Sequence, residues 1–179
     1  MMVGPEDLRV LAGGRWTVPV LALLAEEKGA RFARLVGVLG LPRDSLVHTL
    51  AQLGAAGWVV RNPGHGHPLR PEYLLTPEGE RVGAVCARMM AVRRRLDLPA
   101  TSLPRWSLPI IGRLEEGDRR RFTDLRNALA PVTPRALSLN LQQMVAGRLV
   151  ERQVEQSYPP VPLYGLAPAG RALAASFRG

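Results

Sequence analysis

The chain has 179 residues, of which 46% are hydrophobic and 22% charged, and its 24 basic and 15 acidic residues give a net charge of +9. This balance is typical of a folded protein rather than a disordered one, and the length allows one ordinary domain or two small ones. No apolar run approaches the ~20 residues of a membrane span, and the N-terminal segment lacks a signal-peptide pattern, so we expect a cytoplasmic protein with no membrane partner.

The positive charge makes nucleic acid the leading class of partner. Only Lys28 among the basic residues is a lysine, so the abundance of arginine beside alanine, glycine and proline is also consistent with GC-rich coding. Cys86 is the single cysteine, which excludes an internal disulfide framework. Its position on an apolar helix face indicates a buried side chain rather than a reactive thiol.

From residue 15 onward the chain carries a pattern that occurs twice. Residues 15–32 read RWTVPVLALLAEEKGARF and residues 105–122 read RWSLPIIGRLEEGDRRRF, at an offset of 90. After one extra residue near Val132 the match resumes at an offset of 91, with Tyr73 on Tyr164 and Gly79 on Gly170. The chain therefore contains two units of about 70 residues each.

Each unit has the pattern of three helices followed by a hairpin. Thr17 and Ser107 are predicted N-caps of the first helix, each with a proline in the following turn. A second helix, a break at residues 40–42, and a third helix with leucines on one face follow in the first unit. Residues 58–60 and 73–75 are predicted to pair as strands. The predicted core residues are Trp16, Phe32, Leu35, Leu46 and Leu50, with Trp106, Phe122, Leu125, Leu137 and Leu141 at the matching positions.

Between the units, residues 78–96 read as a long helix with an apolar face. That face comprises Val82, Val85, Cys86, Met89 and Met90. The sequence thus predicts a mainly α fold with small β-hairpins: two tandem winged helix-turn-helix domains, residues 1–84 and 101–179, joined by a linking helix at 85–100.

Several segments resemble the HxlR-type regulators, a bacterial winged-helix family related in fold to the MarR group. They are GGRWTVPVLALL, ARFARL, LVHTLAQLGAAGWVVR and EYLLTPEG in the first unit, and RWSLPIIGRL, RRFTDLRNAL and YPPVPLYGLAPAG in the second. The resemblance implies a DNA-binding transcriptional regulator. Family members usually carry one unit per chain and pair two chains, so this chain resembles a fused dimer.

The resemblance has two further implications. Many members carry a cysteine shortly before the first Gly-Lys/Arg-Trp motif, but here that segment is GPEDLRVLAGG, so a redox mechanism is not supported. In the family the helices that flank the wing mediate dimer contacts. The linking helix is therefore expected to pack the two units together, with the N-terminal helix around Leu8, Val10 and Leu11. Alternatively, its apolar face pairs with the same helix of a second chain, giving a homodimer.

In the first unit, the third helix and the wing supply the candidate DNA-binding residues. With the leucines inward, polar side chains that bond to base edges or phosphates are expected on the outer face, and basic side chains along the wing. These candidates are Arg31, Arg43, Asp44, His48, Thr49 and Gln52, with Arg61, His65, His67 and Arg70 at the wing.

The case for DNA reading is weaker for the second unit. Thr133 is its predicted N-cap, and Leu139, which faces outward, is unusual for base reading. Glu151 and Glu155 in the hairpin are expected to repel phosphate, although Arg119, Arg120 and Arg121 lie near the second helix. The candidates here are Arg121, Thr133, Arg135, Ser138, Asn140 and Gln142.

No common catalytic motif or phosphate-binding glycine loop occurs, so an enzyme is not expected. His65 and His67 lack a third ligand at a convincing spacing, so neither a metal nor a cofactor is predicted. Three classes of function remain: a specific regulator that binds double-stranded DNA as a pseudo-dimer, a protein-interaction or ligand-sensing module without specific DNA binding, and a non-specific architectural DNA binder. The first agrees best with the motifs.

Overall fold

The two halves of the chain fold with the same order of helices and strands. A computed structural model describes residues 3–62, 72–98, 103 and 105–178. The elements of the first unit are α1 (Pro5–Leu11), α2 (Thr17–Glu27), β1 (Ala30–Arg31), α3 (Phe32–Leu39), α4 (Arg43–Ala55), β2 (Val59–Asn62), β3 (Glu72–Leu75) and α5 (Pro77–Arg95). Those of the second are α6 (Ser107–Glu115), β4 (Arg120–Arg121), α7 (Phe122–Ala128), α8 (Pro134–Ala146), β5 (Val150–Glu155), β6 (Val161–Leu166) and α9 (Pro168–Ala175).

Each unit has a small antiparallel sheet with the hairpin's return strand in the centre. The strand orders are β1-β3-β2 and β4-β6-β5. Arg61 pairs with Tyr73 in the first sheet, and Arg152 pairs with Tyr164 in the second. The three-helix-plus-hairpin order predicted for both units is confirmed, and so is the mainly α fold class. The short edge strands β1 and β4 were not predicted, because two residues leave no alternation pattern.

Local sequence accounts for several helix ends. Gly40 takes φ 60° at the end of α3, a conformation that glycine adopts without steric cost. Thr133 caps α8 as predicted, accepting a hydrogen bond from the Ala136 N–H at 3.2 Å. The predicted caps Thr17 and Ser107 are wrong by one residue, since each is the first residue of its helix. Thr17 Oγ1 instead donates to the Gly14 carbonyl at 2.9 Å.

Both units contain the same close contact between the helix after the wing and the start of the hairpin. A Cβ on Gly79 would lie 1.9 Å from the Trp58 carbonyl oxygen, and one on Gly170 would lie 2.0 Å from that of Leu149. Only glycine fits at such a separation. The equivalence of Gly79 and Gly170 in the sequence therefore extends to their backbone environment.

The predicted core is mostly correct. All six predicted leucines are buried: Leu35, Leu46, Leu50, Leu125, Leu137 and Leu141. The tryptophans and phenylalanines predicted with them are only partly buried and pack against the edge of the core. Cys86 is buried, and burial raises the pKa of its thiol. Both properties fit a structural cysteine rather than a reactive one. Within the described residues, no helix combines the length and hydropathy of a membrane span.

Helix α5 packs mainly along α2 of its own unit. The two helices approach closely at Gly83, where an added Cβ would lie 3.0 Å from Ala25 Cβ and 3.3 Å from the Leu21 carbonyl oxygen. The face containing Val82, Val85, Cys86 and Met89 is consequently buried within one chain. The alternative of a homodimer through the linking helix stays a prediction.

Helix α1 makes the larger contact between the units. It packs on α6, and a Cβ on Gly112 would lie 2.6 Å from Leu8 Cδ1. Arg9 Nη2 donates to the Ala130 carbonyl at 3.0 Å, and the Val3 N–H donates to the Phe177 carbonyl at 3.1 Å. The expectation that the N-terminal helix helps to join the units agrees with these contacts.

The linking helix contributes a smaller contact between the units. Helix α5 touches α9, and Arg88 Nε donates to the Ser176 carbonyl at 3.4 Å. Arg81 ties α5 to α1, since its Nη2 donates to Asp7 Oδ2 at 2.7 Å. Hydrogen bonds to Glu78 and Asp7 raise the pKa of Arg81, so the guanidinium stays charged.

Candidate nucleic-acid interface

The outer face of α4 exposes polar side chains beside one apolar residue. Arg43, Asp44 and His48 are exposed, as predicted, and so is Val47. The Arg43 guanidinium lies 5.2 Å from the centre of the Phe32 ring, a cation–π distance that orients it where α3 and α4 meet. The first turn of α4 therefore presents an arginine in a defined position.

Two residues predicted on this face lie elsewhere. Thr49 is 6% exposed, and its hydroxyl donates to the Ser45 carbonyl at 2.7 Å, so its predicted exposure is wrong. Gln52 is partly buried and donates to the Val10 carbonyl at 3.0 Å. Both face the body of the unit because they are close in helical phase to Leu46, Leu50 and Leu53 rather than opposite them.

The outer face of α8 has different chemistry from that of α4. Arg135 and Gln142 are exposed and Ser138 is partly so, but Leu139 is 53% exposed at the position that matches His48. Thr133 is exposed, yet its hydroxyl is engaged in capping α8. At the position of Leu139 this helix therefore offers base edges no polar group, unlike α4 with His48.

The predicted exposure of Asn140 is also wrong. Asn140 was expected to face outward but is only 7% exposed, like Thr49, which occupies the matching position in the first unit. Its Oδ1 accepts from the Trp106 N–H at 3.0 Å and its Nδ2 donates to the Ala136 carbonyl at 2.8 Å. Asn140 therefore fixes the start of α6 against α8.

The base of the first wing is basic. Arg31 on β1 and Arg61 on β2 are exposed, and Arg31 Nε lies 3.4 Å from Glu72 Oε1. The predicted wing-tip residues His65, His67 and Arg70 lie outside the described residues. The described part of this wing therefore has two arginines and one carboxylate, and its charge is positive.

The base of the second wing is an array of ion pairs. Arg119 Nη2 lies 3.8 Å from Glu151 Oε1, and Arg121 Nη2 lies 3.7 Å from Glu155 Oε2. Arg119 also donates to Gln153 Oε1. Glu151 and Glu155 are expected from the sequence to repel phosphate, but the arginines paired with them offset their charge. The available sequence signal was even spacing, two residues from Arg119 to Arg121 and four from Glu151 to Glu155, which puts side chains on the same face of a strand.

The tip of the second wing is exposed and partly apolar. Tyr158 is fully exposed and Val154 is 50% exposed. The two wings therefore differ in chemistry as much as the two third helices do.

The fold, the exposed third helices and the hairpins define a helix-turn-helix protein with two winged units. The family model for the HxlR-like helix-turn-helix matches residues 11–96 and again residues 103–178. The chain therefore belongs to the HxlR-like helix-turn-helix family, in a tandem form, and this is a family of transcriptional regulators.

Among solved structures, the chain is similar to a transcriptional regulator of the MarR family from Enterococcus faecalis V583, at 27% identity over 49% of this chain and 74% of that one, with a TM-score of 0.40. It is also similar to the reduced form of the transcriptional regulator YodB from B. subtilis, at 24% identity over 58% of this chain and 85% of that one, with a TM-score of 0.39. No curated protein matches the chain significantly.

Proposed function

We propose that this regulator binds double-stranded DNA, with the two units of one chain acting as a pseudo-dimer. The observation that carries the proposal is the exposed polar face of α4, with Arg43 and His48 at its N-terminal half, in a third helix that is followed by a basic hairpin. In winged helix-turn-helix proteins this helix enters the major groove. The net charge of +9 supports an attraction to phosphate.

The contacts between the units support a pseudo-dimer within one chain. Helix α1 packs on α6, α5 touches α9, and the apolar face of α5 is covered internally. A palindromic site normally needs two readers about 34 Å apart, supplied by two chains. Here we expect one chain to supply both, with a solution mass near 19.5 kDa by light scattering.

The unequal third helices favour an asymmetric binding site. His48 in α4 matches Leu139 in α8, and Asp44 matches Arg135. Histidine bonds to base edges, whereas leucine offers only apolar contact, for example with a thymine methyl group. We therefore propose that the two half-sites differ in sequence and that the α4 half-site is the more strictly read.

Selection from a pool of random duplexes, followed by titration across a salt series, tests this proposal. We expect one enriched sequence, bound more tightly than random duplexes at every salt concentration. Equal affinity for enriched and random duplexes would assign the chain to non-specific architectural binding. No binding at low salt would exclude DNA as the partner.

A variant whose α8 carries three outward side chains of α4, those of Asp44, Val47 and His48, tests the asymmetry directly. It combines Arg135→Asp, Ser138→Val and Leu139→His, all at exposed or partly exposed positions. The selected site should become more palindromic than the wild-type site. A matched control exchanges three exposed residues of α5 outside both reading helices: Ala84→Ser, Arg94→Gln and Arg95→Gln. An unchanged site in the α8 variant would contradict reading by α8.

The exposed Leu139 and Tyr158 favour a second candidate for the second unit alone. Both are large, exposed side chains beside an ion-paired wing. Aromatic and apolar side chains are typical of protein interfaces. If the selected site covers only one half-site, the second unit is a protein-interaction module attached to a single reader.

A further inference from the structure

A cavity of about 220 Å³ lies where the two units meet. The end of α1 and the start of α2 form one side of it, through Leu11 and Val18. The last turn of α5 and the start of α6 form the other, through Arg93 and Leu108. A liquid water molecule occupies about 30 Å³, so the space accepts a small organic molecule.

Three arginines line this cavity, and no acidic residue does so among the described residues around it. Arg15 and Arg105 are the first residues of the repeated Arg-Trp motif, so the duplication brings two equivalent arginines to one place. Arg93 comes from the linking helix and has no counterpart in the repeat. Arg15 and Arg105 are exposed, and the Arg15 guanidinium lies 4.9 Å from the centre of the Trp16 ring.

Arg93 is 3% exposed, which is unusual for a guanidinium. Burial lowers its pKa to about 10, so it remains charged at neutral pH. Two other cavities with arginines in their lining also have glutamates there: Arg113 lies 3.0 Å from Glu116, and Arg178 lies 2.9 Å from Glu115. The cavity with Arg93 differs because its lining charges are all positive.

We infer that this cavity, bounded by Arg15, Arg93 and Arg105, binds a small phosphate monoester whose apolar part rests on Leu11, Val18 and Leu108. A phosphate monoester carries a charge of about −1.5 to −2 at pH 7 and has three acceptor oxygens. Guanidinium groups match this geometry better than any other side chain does. Together with Leu103, these apolar side chains give the organic part a surface against which it is buried.

The position of the cavity gives such a ligand a structural effect. Its wall comes from both units, so a bound molecule stabilises the arrangement in which they meet. This site is separate from the outer faces of α4 and α8. The inference therefore holds whether or not the chain binds DNA.

Calorimetric titration of the full chain with phenyl phosphate tests the site. We expect saturable binding of one molecule, with affinity decreasing from pH 7 to pH 5 as the second phosphate proton binds near its pKa of about 6. Benzoate, with the same ring and a single charge, should bind clearly more weakly. Absence of saturable phenyl phosphate binding, or equal binding of benzoate, would overturn the inference.

Variants separate the arginines of the cavity from general charge. Arg105→Gln and Arg93→Gln should each weaken phenyl phosphate binding by about tenfold, whereas Arg94→Gln, on the exposed face of the same helix turn, should leave it unchanged. Since Arg93 is buried, Arg105→Gln decides the test if Arg93→Gln does not fold. Equal binding by wild type and Arg105→Gln would refute the assignment. So would an equal loss of duplex DNA binding in that variant, because the arginine would then serve nucleic-acid phosphates.

Discussion

The two units have the same order of helices and strands but expose different side chains. In the first, Arg43 and His48 are exposed on the third helix, and Arg31 and Arg61 at the wing base outnumber the single carboxylate there. In the second, Leu139 is exposed and the arginines of the wing base pair with glutamates. Glycines, prolines and leucines shared by the two units therefore accompany the shared fold, while the outward positions differ.

The largest expected effect tests whether the two backbones are equivalent. Gly79→Ala and Gly170→Ala should each lower the free energy of unfolding by about 3 kcal/mol, because each Cβ would overlap a carbonyl oxygen. Urea denaturation measures this. Gly37→Ala is the control, since a Cβ there meets nothing within 4 Å and alanine favours the helix. Tolerance of one substitution but not the other would break the equivalence of the units.

The next effect distinguishes how the third helix is fixed in each unit. Asn140→Ala should cost about 2 kcal/mol, because it removes the acceptor of the Trp106 N–H and a second hydrogen bond. Thr49→Ala should cost less than about 1 kcal/mol, since its hydroxyl only bonds back to its own helix. Gln142→Ala, at an exposed position, is the control for α8. Equal losses for Asn140→Ala and Thr49→Ala in thermal unfolding would contradict this difference.

A smaller effect tests the proposed difference in DNA reading. Arg43→Ala should weaken binding to the selected duplex by about tenfold, and Arg135→Ala by less. If Arg43 contacts phosphate, its loss should also lower the salt slope by about 1. Arg113→Gln is the control, because it makes the same change in net charge at an arginine paired with Glu116. Fluorescence anisotropy measures all three, and a greater loss for Arg135→Ala would reverse the assignment.

The smallest effect concerns an ion pair that only the first unit has. A hydrogen bond from Arg34 lowers the pKa of Glu27 below its usual value of 4.5, while Gly117 occupies the matching position in the second unit. A lowered pKa gives stability that is present above the unfolded-state value and is lost as the pH falls through the folded-state value. Arg34→Gln should therefore be less stable than wild type at pH 7, and the two should converge as the pH falls below the folded-state pKa of Glu27. A constant difference in urea denaturation across that range would show that the carboxylate of Glu27 is not involved.

The order of helices and strands could be predicted from the sequence because the same capping, glycine and leucine patterns occur in both units. The leucine stripes, the Gly40 break and the Thr133 cap each agree with the structure. The packing of α5 was less predictable. Its apolar face indicated a partner, but α2, the N-terminal helix and a second chain were all compatible with the same pattern.

The candidate interface was predictable in part. The residues nearest the start of the third helix, Arg43, Asp44 and His48, are exposed as expected. The predicted exposure of Thr49 and Asn140 is wrong, because a polar side chain can be buried when its hydrogen bonds are made inside the unit, as both of these are. The pairing of Arg119 and Arg121 with glutamates depends on strand register, which composition alone does not reveal.

The contact of α1 with α6 also determines how the protein responds to dilution. Two separate chains must first associate, so the amount of paired readers falls roughly with the square of the protein concentration. In this chain the units are covalently joined and meet at an effective concentration fixed by their connection. The number of paired units therefore falls only in proportion to the number of chains.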